Sequence, residues 1–213
     1  MQKPSTAQAP AAESAAIIPN ISQLAQRPCS HYDDRLDVND ISVLVIHNIS
    51  LPPRQYNTSY IDDFFGGTLN CDAHPYFAML RDVRVSAHCV IFRNGRVWQY
   101  VPFAKRAWHA GVSQFLGREK CNDFSIGIEL EGCDDEAFTD AQYLSLAALC
   151  KQLMLLYPAI QPDHIVGHSD IAPGRKTDPG PTFDWARLFA LLDLTQQGKA
   201  FDKKTALNKE NKK

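Results

Sequence analysis

Residues 123–158 read DFSIGIELEGCDDEAFTDAQYLSLAALCKQLMLLYP, and the hydrophobic period changes partway along them. In 123–132, Phe124, Ile126, Ile128 and Leu130 alternate with Ser125, Gly127, Glu129 and Glu131, the pattern of a strand with one apolar face. From Thr139 onward Tyr143, Leu146, Ala147, Cys150, Leu153, Met154 and Tyr157 fall on one helical stripe, which reads as core. Thr139 precedes Gln142 by three residues, the spacing of a capping box, and Pro158 stops the helix. A half-buried strand followed by a long amphipathic helix is the building unit of a sheet covered by helices.

The flanking sequence supplies the rest of that sheet. The apolar, β-branched run ISVLVIHNIS at 41–50 lies between Asn-Asp and Pro-Pro and reads as a buried strand. SAHCVIFRNGRVWQYVP at 86–102 places Asn94-Gly95 between two alternating runs, which predicts a hairpin closed by a type I′ turn. DHIVGHSDIA at 163–172 reads as another short strand, and FDWARLFALLDL at 183–194 as a second amphipathic helix. The order predicts an α/β fold of the mixed (α+β) kind, a single domain over 29–196 with a central mixed β-sheet flanked by helices. Residues 1–28, rich in Ala, Pro, Ser and Gln, are expected to be a flexible extension, and 197–213 a solvated, lysine-rich tail.

Composition narrows the function classes. With 213 residues, 45% hydrophobic content and a formal net charge of -2, the chain suits one domain and has no global electrostatic reason to bind nucleic acid. The six cysteines, at 29, 71, 89, 121, 133 and 150, form no Cys-x-x-Cys pair and are expected to be reduced thiols. No run approaches the roughly 20 apolar residues of a membrane span, and the N-terminus lacks the apolar stretch of a secretory signal, so the expected location is the cytoplasm. Neither a Gly-x-Gly-x-x-Gly nor a Walker A sequence is present.

Seven histidines occur, at 31, 47, 74, 88, 109, 164 and 168, and position separates two of them. His47 ends a face made of Ile41, Val43 and Val45 where a strand meets a loop, and His168 leads into IVGHSDIAPGRKTDPG at 165–180, a loop rich in carboxylates. A hydrolytic zinc site takes three protein ligands from histidines and carboxylates and keeps one position open. Both histidines with Asp178 would suffice; Asp170 and His164 are competing ligands, and no helical His-Glu-x-x-His pair is present. Glu129 and Glu131 face one way beside Gly127, which leaves space over that face as a site needs; the plainer alternative is a pair of solvated glutamates. Residues 51–75, with Gly66-Gly67 and several aromatics, could close over a groove.

The segments VIHNISLPP, RVSAHCVI, QYVPFAKRAWHAGVSQF, GREKCNDFSIGIELEG and GHSDIAPGRKTDPGPTFDWAR, in this order between residue 29 and about 190, resemble the zinc-dependent N-acetylmuramoyl-L-alanine amidase family. The resemblance is to its members that act on 1,6-anhydro muropeptides in bacterial wall recycling, and it implies an amidase or peptidoglycan-recognition type of fold. It further implies a Zn²⁺ cofactor held by His47, His168 and Asp178, and catalysis by Glu129 and Lys176. Asn48, Arg84, Trp108, His109 and Lys120 match positions of the family's substrate groove, with Lys120 standing where the family pattern has arginine. The implied partner is a muropeptide, with no nucleic acid, membrane or obligate protein partner. Two rivals follow from the same resemblance: a muropeptide-binding module without catalysis, and a periplasmic amidase for polymeric wall. The five metal and catalytic positions favour an enzyme over a binder.

Overall fold

The computed structural model describes residues 20–193. Its strands are β1 (Ala25–Gln26), β2 (Tyr32–Asp34), β3 (Val43–Ile49), β4 (Cys89–Ile91), β5 (Val97–Gln99), β6 (Lys105–Ala107), β7 (Gln114–Phe115), β8 (Arg118–Glu119), β9 (Ser125–Glu131) and β10 (Ile165–Gly167). Its helices are α1 (Tyr60–Gly66), α2 (Asp140–Leu156), α3 (His168–Ile171) and α4 (Trp185–Leu191). Six strands form one sheet in the order β1-β5-β4-β9-β3-β10. Only β4 and β5 run antiparallel within it. The expected mixed sheet flanked by helices is therefore the fold. Two small antiparallel ribbons, β2 with β6 and β7 with β8, stand beside it.

The strand alternation read from the sequence sorts side chains into two layers. Leu44, Ile46, Ile126, Ile128 and Leu130 meet Leu146, Leu149 and Leu153 of α2 and Leu188 and Phe189 of α4 in the largest cluster. On the opposite face Val43, Val45 and Val166 pack against Ala110, Phe115 and Ile171. Phe124 belongs to this second layer rather than to the face of Ile126, because it precedes the first residue of β9 and the alternation does not extend to it. The cap of α2 is as expected: Thr139 Oγ1 accepts from Gln142 N at 3.1 Å, and Thr139 N donates to Gln142 Oε1 at 3.1 Å. Such a box contributes about 1 kcal/mol.

Several boundaries differ from expectation. Residues 20–28 are part of the fold: β1 adds to the sheet edge beside β5, and Leu24 is 4% exposed within the main cluster. A two-residue parallel edge strand carries no period by which sequence could reveal it. Residues 1–19 and the tail lie outside the described residues. At the hairpin, Gly95 N donates to Phe92 O and Phe92 N to Arg96 O, with Gly95 at φ 82° while Asn94 keeps negative φ. The turn is thus type I over Arg93-Asn94 followed by a left-handed glycine, not type I′. The strand predicted over 163–172 is confined to β10, because Asp170 Oδ2 accepts from Gly167 N at 2.6 Å and starts the helical turn α3. Residues 51–75 carry α1, whose Ile61, Phe64 and Phe65 are buried against Phe77, Val90 and Tyr100.

Among the described residues no helix is long and apolar enough to cross a membrane.

Candidate active site

β4, β9, β3 and β10 are parallel neighbours, so their carboxyl ends open on one side, where ligands of such sheets bind. His47 pairs with Glu129 across β3 and β9, and Ile46 pairs with Gly167 across β3 and β10. Register alone therefore sets Glu129 and His168 on either side of His47. The loop after α3 returns Asp178 to the same point, and Ser169 N bonds Asp178 O at 3.0 Å.

The result is a triangle of donor atoms. His47 Nδ1 lies 3.0 Å from His168 Nδ1 and 2.9 Å from Asp178 Oδ2, and His168 Nδ1 lies 3.0 Å from the same oxygen. The surrounding hydrogen bonds decide where the imidazole protons sit. His168 Nε2 faces Ala110 O at 3.0 Å, and a carbonyl only accepts, so this contact is made with the proton on Nε2 and Nδ1 bare; Arg175 Nη2, 3.4 Å from Nε2, donates to the same carbonyl at 2.6 Å. Ser125 Oγ gives its hydrogen to Cys121 O, so His109 Nε2 must donate to Ser125 Oγ at 3.2 Å. That leaves His109 Nδ1 as acceptor for His47 Nε2 at 3.0 Å, and His47 Nδ1 is bare as well. Burial lowers the His47 pKa to about 4, with the Asp178 contact opposing, so the ring is neutral near pH 7.

In these tautomers an electron pair from each ring points at the Asp178 carboxylate, so three donor atoms converge on one point. Donors around a tetrahedral zinc at bond lengths of about 2.0–2.1 Å are roughly 3.3 Å apart, so this set fits a metal ion. His47, His168 and Asp178 are the group among the described residues able to hold one. The competing ligands have other work. Asp170 caps α3, and His164, at the far end of β10, has Nδ1 2.8 Å from Ser42 O.

Glu129 stands beside the triangle with its Oε2 buried and without a partner. Burial first, then the charge of Asp178, raise its pKa well above the usual carboxylate value, while Lys176 opposes them. The space sequence reading left above Gly127 is filled: an added Cβ there would come within 2.4 Å of the His109 ring. Glu131 is neither solvated nor in the site. It is fully buried and accepts from Asn57 N at 2.8 Å and Arg93 N at 3.1 Å, tying two loops to β9.

A cavity of about 670 Å³ opens over these groups, lined by His47, Asn48, His109, Glu129, Lys176 and Asp178 among others. Lys176 is exposed at its edge. Asn48 Nδ2 is committed to Asp134 Oδ1 at 2.7 Å and Pro179 O at 3.1 Å, so it also braces the loop bearing Asp178. The other three groove candidates do not line this cavity. Arg84 borders a neighbouring one of about 310 Å³ and bonds the carbonyls of Arg81 and Val83. Trp108 stacks on His31 with ring centroids 6.1 Å apart, and exposed Lys120 sits at φ 61° at the start of a 3-10 turn. Residues given no role from sequence prove central to the support. Arg35, 6% exposed, donates to the carbonyls of Phe103, Asn122, Asp123 and Ser125, and burial lowers its pKa to about 10. Buried His88 accepts from Gly127 N at 3.0 Å, and Arg175 holds Ala110 O and Val112 O.

A mixed α/β sheet with a metal-capable His, His, Asp centre at its strand ends, and a buried carboxylate beside it, has the layout of a metal-assisted hydrolase. Residues 37–181 match the family described as N-acetylmuramoyl-L-alanine amidase (Amidase_2), and the chain belongs to that family. It is 60% identical over 168 residues, 79% of this chain and 89% of the relative, to the 1,6-anhydro-N-acetylmuramyl-L-alanine amidase AmpD of Salmonella typhimurium. The crystal structure of a Se-Met AmpD derivative superposes with a TM-score of 0.78 at 57% identity, covering 81% of this chain and 96% of that one. Also similar, at TM-score 0.52 and 38% identity, is Escherichia coli AmiD in complex with anhydro-N-acetylmuramic acid-L-Ala-D-gamma-Glu-L-Lys; the match covers 71% of this chain and 57% of AmiD.

Proposed function

We propose that the protein hydrolyses the amide bond between 1,6-anhydro-N-acetylmuramic acid and the L-alanine of muropeptides, as a zinc enzyme of cytoplasmic peptidoglycan recycling. The observation that carries this reading is the convergence of three ligand atoms, from His47, His168 and Asp178, beside the unpartnered Oε2 of Glu129. His47, His168 and Asp178 would hold the zinc, which when bound polarises a carbonyl and acidifies a coordinated water. His109 and Ala110 O hold the two ligand rings in the tautomer that the cation requires. Glu129 takes a proton from the attacking water as its oxygen bonds to the lactyl carbonyl carbon. It then delivers that proton to the alanine nitrogen as the C–N bond breaks. The high proton affinity of its buried carboxyl suits both transfers. Lys176, at the cavity edge, stabilises the negative charge on the carbonyl oxygen.

The test is mass spectrometry of products after incubation with 1,6-anhydro-N-acetylmuramoyl tripeptide. Release of free tripeptide, lost on chelation, restored by zinc and absent in Glu129→Gln, is expected. Intact substrate with folded, zinc-loaded protein would refute the reading and favour a module that binds muropeptides without cutting them.

A further inference from the structure

The cavity carries an unusual cation. Arg54 lines its rim with a side chain 59% exposed and a backbone at φ 63°. A left-handed conformation costs a non-glycine residue on the order of 1–2 kcal/mol, so something local must hold it. Ser50 Oγ accepts from Arg54 N at 3.0 Å, and Gln55 N donates to Pro52 O at 3.0 Å, which keeps this residue fixed at the mouth.

Three cationic side chains line the cavity: Arg54, Arg175 and Lys176. Arg175 is spent on the carbonyls of Ala110 and Val112, and Lys176 has been assigned to the carbonyl oxygen above. The Arg54 guanidinium makes one ion pair, to Asp135 Oδ2, whose side chain is itself 60% exposed. An exposed pair of this kind is weak and exchanges readily. Asp134 and Asp135, which the metal site does not use, share the lining, so an anionic ligand meets repulsion there unless a cation receives it. A stem peptide is such a ligand: linkage through the γ-carboxyl of glutamate, as in the ligand bound by AmiD, leaves an α-carboxylate free besides the one at the C-terminus.

We propose that Arg54 is a specificity-determining residue that receives a free carboxylate of the stem peptide, exchanging Asp135 for it. This rests on the muropeptide reading above. Arg54 touches the peptide, away from the reacting bond, so it governs binding rather than bond cleavage. Asp135 acts as the competing counter-ion that the substrate displaces.

The experiment compares wild type, Arg54→Ala, Arg54→Lys and Asp135→Asn on three substrates: 1,6-anhydro-N-acetylmuramoyl-L-Ala-D-γ-Glu-L-Lys, its analogue amidated at the glutamate α-carboxylate, and its analogue amidated at the C-terminus. For Arg54→Ala a rise in KM of about 5- to 20-fold on the parent, with kcat nearly unchanged, is expected. That penalty should vanish on one amidated analogue, which identifies the carboxylate. Arg54→Lys should recover part of it, and Asp135→Asn should lower KM a few-fold. An equal penalty on all three substrates, or none on any, overturns the proposal. Calorimetric binding of the same muropeptides separates it from the amidase reading: tight binding that depends on Arg54 without hydrolysis would sink the amidase and leave this site standing.

Discussion

His47 Nε2 donates to His109 Nδ1 at 3.0 Å, and this contact fixes which nitrogen of His47 faces the cluster. The same chain of bonds continues through Ser125 to Cys121 O. Replacing His109 by alanine removes the acceptor and frees the His47 ring to rotate or change tautomer. Zinc affinity, measured by competition with a chromogenic chelator, should fall about 10- to 100-fold. Ser125→Ala should have a smaller effect in the same direction. Unaltered affinity in His109→Ala would show that packing alone orients His47.

Gly127 is where His109 rests. A methyl group there would overlap buried ring atoms held by His47 and Ser125, at 2.4 Å from Cγ and 2.6 Å from Nδ1 of His109. Gly127→Ala should therefore cost about 1–3 kcal/mol in denaturant titration and lower turnover at least tenfold by displacing the imidazole. A variant with lowered stability and intact turnover would mean that His109 moves without consequence for the site.

Lys176 is exposed at the cavity edge and its charge opposes the proton affinity of Glu129. Lys176→Ala should lower kcat by roughly 10² to 10³ while zinc content, read by atomic emission, stays at one per chain. Turnover equal to wild type would remove the residue from the mechanism.

His88 is fully buried, and burial with the nearby Arg35 charge lowers its pKa to about 3. In the unfolded chain the ring titrates near its ordinary value of about 6.5, so the unfolded state takes up a proton first as pH falls. The His88 contribution to the stability of the chelated protein should be level above that value and decline as pH drops toward 3. His88→Gln should make the decline shallower by about 1.4 kcal/mol per pH unit. Melting temperatures across pH 7 to 4 measure this; parallel curves for the two proteins would contradict a neutral His88.

The layers of the sheet were legible because β9 alternates an apolar face with a polar one, because α2 carries a helical stripe of buried residues, and because Thr139 and Gln142 mark a helix start by a local bond. His47 and His168 were legible as strand-end residues, whereas choosing Asp178 over Asp170 needed the resemblance. What sequence concealed is the polar scaffold. Arg35, His88 and Ser125 bond to backbone groups or to residues far off in the chain, and neither leaves a pattern in residue order. The β1 edge strand was hidden for the same reason, its one deep anchor being Leu24.

The pairing of His47 with Glu129 across β3 and β9 ties chemistry to folding fidelity. If β9 slid by one residue, Ile128 or Leu130 would stand beside His47, and Glu129 would turn into the layer occupied by α2. A misregistered chain would then be inert, with no altered activity in its place. The specific activity of refolded material therefore counts natively paired molecules, and can serve as a yield assay for folding that circular dichroism, blind to strand register, does not provide.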